Sequence, residues 1–169
     1  NEILVQEEQY EKICASQSNT FEGSYNRQIY MSVPADADNE NMCALFPKGF
    51  SDFEVTVDGE KMEPMELYGR GLNKEQKQIS YGHIFTNDKG KINIINRENT
   101  GGANILVIKD SYVNPMIYHI AQSFYRTTVY DPRHTDDSVL EYIEKNNFDI
   151  VAILYNSSNL TGDMYEFGT

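Results

Sequence analysis

Tryptophan is absent from these 169 residues, cysteine occurs twice and histidine three times. Basic residues are scarce too: 14 Lys and Arg stand against 26 Asp and Glu, a formal net charge of −12. Phosphate binding needs clustered Lys and Arg, and no cluster is found, which argues against nucleic acid or an anionic membrane as partner. No apolar run approaches the roughly 20 residues a membrane span needs, and no signal peptide is read. Neither Cys14 nor Cys43 sits in a CxxC pair or near a histidine at metal-ligand spacing, so no metal is expected. The two cysteines can pair only if their backbones come within bridging distance, and one bridge says little about compartment. There is no internal repeat, no low-complexity tract and no phosphate-cradling loop rich in Gly, Ser and Thr, which disfavours a flavin module. An acidic phosphoacceptor cluster at the first strand of the parallel core is missing as well, so a receiver domain is disfavoured.

What is present is a globular composition rich in tyrosine, of a length suited to one domain with a real core. The abrupt start at Asn1-Glu2-Ile3 leads us to expect an excised segment of a longer protein. The stretch Ala103 to Arg133 organises the rest. Ile105-Leu106-Val107-Ile108 reads as a strand buried on both faces, with Asp110 and Ser111 at its end. Asn114-Pro115 then opens a helix whose apolar positions are Met116, Ile117, Ile120, Ala121 and Phe124. Thr127 to Tyr130 is a second strand, ending at Asp131-Pro132. A crossover of this kind makes the two strands parallel and places Ser111 and Asp131 on one sheet edge, where ligands bind in open sheets.

Upstream, residues 2 to 15 favour a helix. Phe53 to Leu67 reads as a hairpin turning at Asp58-Gly59, and a second hairpin is expected from His83-Thr86 to Lys91-Ile94. Phe21 to Tyr30 reads as irregular chain, Pro34 to Met42 as an acidic loop, and Gly69 to Gln78 as a surface helix or loop. Downstream, Asp137 to Asn146 carries Val139, Leu140 and Ile143 on one helix face, and residues 149 to 155 form a third apolar strand. The βαβαβ order predicts an α/β, flavodoxin-like three-layer core with the 104 to 109 strand central, preceded by an N-terminal helix and antiparallel hairpins. We treat 1-169 as a single domain, with a helix and hairpin portion at 1-100 and a parallel portion at 101-169. The expected core is Leu106, Ile108, Ile117, Ile120, Phe124, Val129, Leu140, Ile143, Val151, Ile153 and Leu154.

A serine directly after a buried strand and at a helix entry is placed as a nucleophile, since amides there can hold an oxyanion; the same position suits an N-cap. His134 in Asp131-Pro132-Arg133-His134 offers a base with Asp131 as its orienting acid. His119 is read as solvated and His83 as structural, at a strand start. Asp110 fixes the turn through backbone hydrogen bonds. Asn114 is either an oxyanion donor or simply held extended before Pro115.

The block from Ile105 to Asn114, with Lys109-Asp110-Ser111 at its centre, followed by Val129-Tyr130-Asp131-Pro132-Arg133, resembles the DHHW family of SGNH/GDSL-hydrolase-like proteins, relatives of the acetyltransferases of alginate O-acetylation. Weaker similarity runs through Phe21 to Ser24 with Arg27, Tyr81 to Phe85, Tyr142 to Glu144 and Ile153 to Asn156. The resemblance implies an SGNH-like fold in which Ser111 is the nucleophile, Asp131 and His134 complete a triad, and Asp110, Tyr112, Asn114, Gly23 and Ser24 support the site. It implies a serine esterase or O-acetyltransferase acting on acyl groups of extracellular polysaccharide without cofactor or metal. An extracytoplasmic location, anchored through a segment outside this chain, and a membrane-bound O-acyltransferase partner are implied likewise. The family's Asp-His-His-Trp motif is missing, so if it supplies the base this segment is inactive alone. The alternative is a non-catalytic carbohydrate-binding or scaffolding domain that keeps the fold and uses its tyrosines on sugar rings.

Overall fold

The computed structural model describes residues 9–14, 20–22, 43–68, 78–85 and 88–156. The expectations for most of 21–30, for 34–42 and for 69–77 fall outside these, as do Gly23 and Ser24. In chain order the strands of the first half are β1 (Tyr10–Cys14), β2 (Thr20–Glu22), β3 (Cys43–Pro47), β4 (Glu54–Val57), β5 (Glu60–Met62) and β6 (Gln78–Ser80). Two one-turn helices, α1 (Pro64–Leu67) and α2 (Tyr81–Ile84), lie on either side of β6. Then come β7 (Lys91–Ile95), β8 (Asn104–Lys109), a 3-10 stretch (Ser111–Met116) running into α3 (Ile117–Ala121), β9 (Arg126–Tyr130), α4 (Val139–Lys145) and β10 (Ile150–Leu154). The chain divides into two compact units, 1–48 with 65–87 and 49–64 with 88–169. Among the described residues no helix is long and apolar enough to cross a membrane.

In the first unit β1 and β3 pair antiparallel with Cys14 opposite Cys43, and the two cysteines form a disulfide. The helix expected over 2 to 15 is therefore a strand from Tyr10 to Cys14. Glu11 and Lys12 suit a helix locally, but propensity is a weak preference that a ladder and a covalent bridge override. Residue 83 lies in α2, not in a strand: Phe85 N–H donates to Tyr81 O at 2.9 Å, and the two rings meet tilted with their centroids 5.0 Å apart, the i, i+4 pairing of a helical turn. Phe85 also meets Tyr68, whose ring meets Phe46, and all three are buried. The disulfide closes a loop of 29 residues. Its reduction is expected to lower stability by about 3 to 4 kcal/mol in the chain-entropy account. Urea titration with and without reductant measures this, and a loss below about 1 kcal/mol would show that the bridge constrains little.

The second unit is built on a six-stranded sheet of order β10-β8-β9-β7-β4-β5. Strand β8 is parallel to both β10 and β9, as the sequence predicts. Beyond β9 the sheet turns antiparallel, because β7 pairs with β9 and β4 and is not the arm of a hairpin with His83-Thr86. The β4–β5 hairpin forms where expected: Asp58 and Gly59 have φ of 49° and 91°, the left-handed pair that matches a tight turn to strand twist. The centre of the sheet is covered on both faces, so Ile105 to Ile108 and Thr127 to Tyr130 are all buried. One face packs Leu106, Ile108 and Tyr130 against Val139 of α4, with Tyr142, Ile143 and Phe148 around them. Tyr118 of α3 is buried against Phe50 and Phe53, and its hydroxyl donates to Pro64 O at 2.5 Å. Burial pushes that phenol up.

The core departs from expectation at one edge. Ile150, Val151, Ile153 and Leu154 are 43, 43, 55 and 39% exposed, and Leu140 is 52% exposed. Strand β10 ends the sheet, and position in the strand order is not encoded in local hydropathy. Leu106→Ala, at a fully buried site, is expected to cost about 2 to 5 kcal/mol, whereas Ile153→Ala in this chain should cost under about 1 kcal/mol. Denaturant titration of the two variants side by side checks the contrast.

Candidate active site

The carboxyl ends of β8 and β9 lie side by side because the strands are parallel neighbours. Asp110, fully buried, leaves β8 and caps the 3-10 stretch: its Oδ1 accepts from Tyr112 N–H at 2.9 Å and its Oδ2 from Asn156 N–H at 2.7 Å. The turn is thus tied to Asn156, two residues past the end of β10. Asp110 and not Ser111 is the N-cap, which takes the capping role away from the serine. Ser111 is the first residue of the 3-10 stretch and is half-buried, while Tyr112 is 60% exposed. The amides that follow Ser111 are spent locally, Tyr112 N–H on the Asp110 carboxylate and Val113 N–H on Asp110 O at 3.3 Å. They are therefore not the oxyanion donors that the helix entry suggested.

Behind the serine lies a buried polar network that sequence reasoning missed. The Lys109 ammonium is wholly buried and donates to Asn114 Oδ1 and to Asp131 Oδ2, each at 2.9 Å, with Asp88 Oδ1 3.6 Å away. Asn114 Nδ2 donates to Asp88 Oδ1 at 2.9 Å, so the expected oxyanion residue is clamped at both ends, in a 3-10 turn and not in extended chain. Asp131 is also fully buried and receives a two-pronged contact from Arg133, Nε to Oδ1 at 2.9 Å and Nη2 to Oδ2 at 2.6 Å. Burial pushes the Asp131 carboxyl up, but Arg133 and Lys109 together outweigh it and hold it below the usual carboxylate range. Arg133 continues to Asp88 Oδ2 at 3.1 Å. Asp88 reaches this position because Gly90 lies flat against the turn at Pro132–His134: a Cβ there would stand 2.4 Å from His134 O.

The expected acid and base are therefore not joined. Among the described residues the His134 ring is hydrogen-bonded to neither Asp131 nor Ser111, and its nearest carboxylate is Asp88, with Nε2 3.8 Å from Oδ2. His119 is half-buried and lines an apolar groove with Val107, Met116 and Phe124, so it is not simply solvated. An open cleft of about 520 Å³ beside His134 is lined by Lys91, Asn93, Asp136 and Tyr142 but not by Ser111. Oxygen and nitrogen donors of Asp88, Asp131 and His134 lie within 4.8 Å of one another. They make a poor cation site, because Lys109 and Arg133 already neutralise the two carboxylates and a metal would have to displace them.

No protein-family profile matches the sequence, and comparison with curated proteins gives no match. Solved structures do match. Bacillus cereus PatB1 with a sulfonyl adduct is 31% identical over 98% of this chain and 52% of PatB1, with a TM-score of 0.75. A second PatB1 structure gives 32% identity over 97% of this chain and 54% of PatB1, with a TM-score of 0.77. A DHHW family protein from Eubacterium siraeum DSM 15702 shares the fold at 18% identity, over 94% of this chain and 51% of that protein, with a TM-score of 0.70. The chain thus spans about half the length of the solved structures it matches.

Proposed function

We propose that this chain is the serine-bearing part of a DHHW-type, SGNH/GDSL-hydrolase-like protein whose flavodoxin-like core centres on β8. In this reading it handles acyl esters of extracellular polysaccharide, as an O-acetyltransferase or acetylesterase. The observation that carries the reading is the place of Ser111: it follows the central parallel strand, on a turn whose cap is Asp110 and whose floor is the Lys109 network. Support comes from PatB1, which has been trapped with a sulfonyl group. Sulfonyl electrophiles are captured by activated nucleophiles, and a serine hydroxyl at a strand end is such a group once a base takes its proton. Ser111 Oγ attacks the acyl carbonyl, the bond to the donor oxygen breaks, and a sugar hydroxyl or water then takes the acyl group from the serine. No cofactor enters this scheme.

Asp131 keeps a structural role here, because its oxygens are held by Lys109 and Arg133. The base is therefore assigned outside the described residues, in keeping with the missing Asp-His-His-Trp motif, and His134 is the weaker candidate. An extracytoplasmic location is supported by the disulfide, since such bonds persist in oxidising compartments. Delivery of acyl groups by a membrane-bound O-acyltransferase belongs to the same proposal. The unjoined acid and base also favour a second reading, a binding domain without turnover. Sulfonylation of Ser111 in the full-length protein, and in this chain with added imidazole, followed by peptide mapping, separates the two.

A further inference from the structure

The cleft beside His134 opens at the sheet edge that carries Ser111. Strands β9 and β4 end at that edge and β7 begins there, because β7 is antiparallel to both. Ser111 follows β8, two strands from β7 in the sheet order. At about 4.8 Å per strand, the cleft lies roughly 10 Å along the edge from the serine turn. Its lining is held in place before any ligand arrives. Lys91 N–H donates to Asp58 Oδ1 at 2.7 Å and Asp58 N–H to Lys91 O at 2.8 Å, which locks the β4–β5 turn to the start of β7. The loop after β9 is fixed by the Tyr130 hydroxyl, which donates to Asp137 O, and by Thr135 Oγ1, which donates to Asp131 O at 3.2 Å. The Tyr142 ring rests against Tyr130 and Phe148, with centroids 5.3 and 6.0 Å away. A preformed cleft spends little of its binding energy on ordering, and about 520 Å³ lies within the roughly 300 to 1,000 Å³ of small-molecule sites.

The lining selects among ligand classes. Asp58, Asp136 and Asp137 stand against Lys91 and His134, and the Lys91 ammonium is already paired with Asp137 and placed over the Tyr142 ring. An anion finds no free cationic partner in such a place. An apolar ligand finds no Leu, Ile, Val, Met or Phe in the lining. A metal ion needs converging ligand atoms, and among the described residues these three carboxylates do not converge. What the cleft does offer is unspent hydrogen-bonding capacity. Asn93 Oδ1 takes the Thr128 hydroxyl at 2.8 Å, which leaves its amide nitrogen to donate. Among the described residues no hydrogen bond occupies that nitrogen, the Asp136 carboxylate or the Tyr142 hydroxyl.

We infer that this cleft binds a neutral saccharide, as a subsite separate from Ser111 on the same sheet edge. Asp136 accepts from sugar hydroxyls, Asn93 Nδ2 donates to a sugar oxygen, and the Tyr142 hydroxyl can do either. The choice of saccharide rests on the proposed function, in which the chain meets polysaccharide; the cleft adds which kind. Uncharged sugar units are favoured over uronates, whose carboxylates would meet those of Asp58, Asp136 and Asp137. Binding energy gathered at a distance from Ser111 also favours a polymer over a free sugar, since only a chain of several units spans both places.

The test is a titration of the isotope-labelled 169-residue chain with chitotetraose, cellotetraose and tetragalacturonate, followed by NMR. At least one neutral tetrasaccharide is expected to give saturable shifts centred on residues 91–93 and 134–137 and on the Asn93 side-chain amide, with tetragalacturonate at least about tenfold weaker. Asp136→Ala, at an exposed position, combined with Tyr142→Phe, which keeps the ring in its packing, should weaken the neutral ligand about tenfold or more and leave the urea unfolding curve unchanged. Ser111→Ala should leave this affinity as it is. No shifts at about 20 mM of either neutral ligand would overturn the inference, as would equal binding of tetragalacturonate, or an affinity indifferent to the double variant. Sulfonylation of Ser111 in the full-length protein is scored separately. A reactive serine beside a cleft that binds nothing would sink the subsite alone, whereas saccharide bound beside an inert serine would keep the subsite and remove the enzyme reading.

Discussion

Lys109→Met should destabilise the second unit by about 3 kcal/mol or more, the range for breaking a buried ion pair by removing one partner. The Lys109 side chain is inaccessible to solvent, and its ammonium touches Asp131 and Asn114 and approaches Asp88. Methionine fills similar space but leaves the buried Asp131 carboxylate with Arg133 alone and removes the Lys109 contact from the Asn114 oxygen. Asp131→Leu should be costly for the mirror reason, and Lys109→Met with Asp131→Leu should cost clearly less than the sum, because the double variant buries no unpaired charge. The pH dependence has a definite sign. Asp131 is held below its unfolded value of about 3.9, so its contribution is full above that pH and is lost as pH falls through the depressed folded value. Wild type should therefore lose stability in acid below about pH 4, and Asp131→Asn should flatten that loss. Urea titrations between neutral pH and pH 3 decide the matter; additive single variants, or parallel acid profiles, would mean that the network carries no net energy.

That network shows where the sequence stopped being readable. Lys109 follows four apolar residues and looks like the polar end of a strand, whereas the fold buries it because Asp131 arrives from the next parallel strand and Asp88 from a loop 21 residues upstream. The signals available were a lysine closing a fully apolar strand and the Asp-Pro-Arg at the end of its neighbour. Periodicity found β8, β9 and β10 with their parallel order because each is a short apolar run separated by a helical stretch. The same periodicity placed Val151, Ile153 and Leu154 in the core, since hydropathy reports a wish for burial and not the presence of a cover. Tyr10 to Cys14 was misjudged for a related reason: Glu11 and Lys12 set the local preference, and Cys43, 29 residues away, settled the outcome. Ser111 was legible as a position but ambiguous as a cap, and the Asp110 carboxylate on Tyr112 N–H resolved it.

Treatment of the 169-residue chain with a sulfonyl fluoride should modify Ser111 slowly, at a rate near that of ordinary serines, and turnover of an activated acetyl ester should stay close to background. The reason follows from the proposed assignment of the base to a residue other than His134. His134 lies against Asp88 and is not bonded to Ser111, and a general base contributes roughly 10²- to 10⁴-fold to such a step. Added imidazole supplies that base from solution, so it should raise both sulfonylation at Ser111 and ester turnover in proportion to its concentration. The effect should grow as pH rises through the imidazole range near 6 to 7, as approximate values for the free ring. Ser111→Ala should remove the increment entirely, while His134→Ala should leave it unchanged. Imidazole rescue that survives Ser111→Ala would show that the reactive group lies elsewhere. Fast labelling without imidazole, abolished by His134→Ala, would restore Asp131 and His134 as a working pair. A serine that stays inert at high imidazole, and equally inert in the full-length protein, would leave the binding-domain reading in possession of the site.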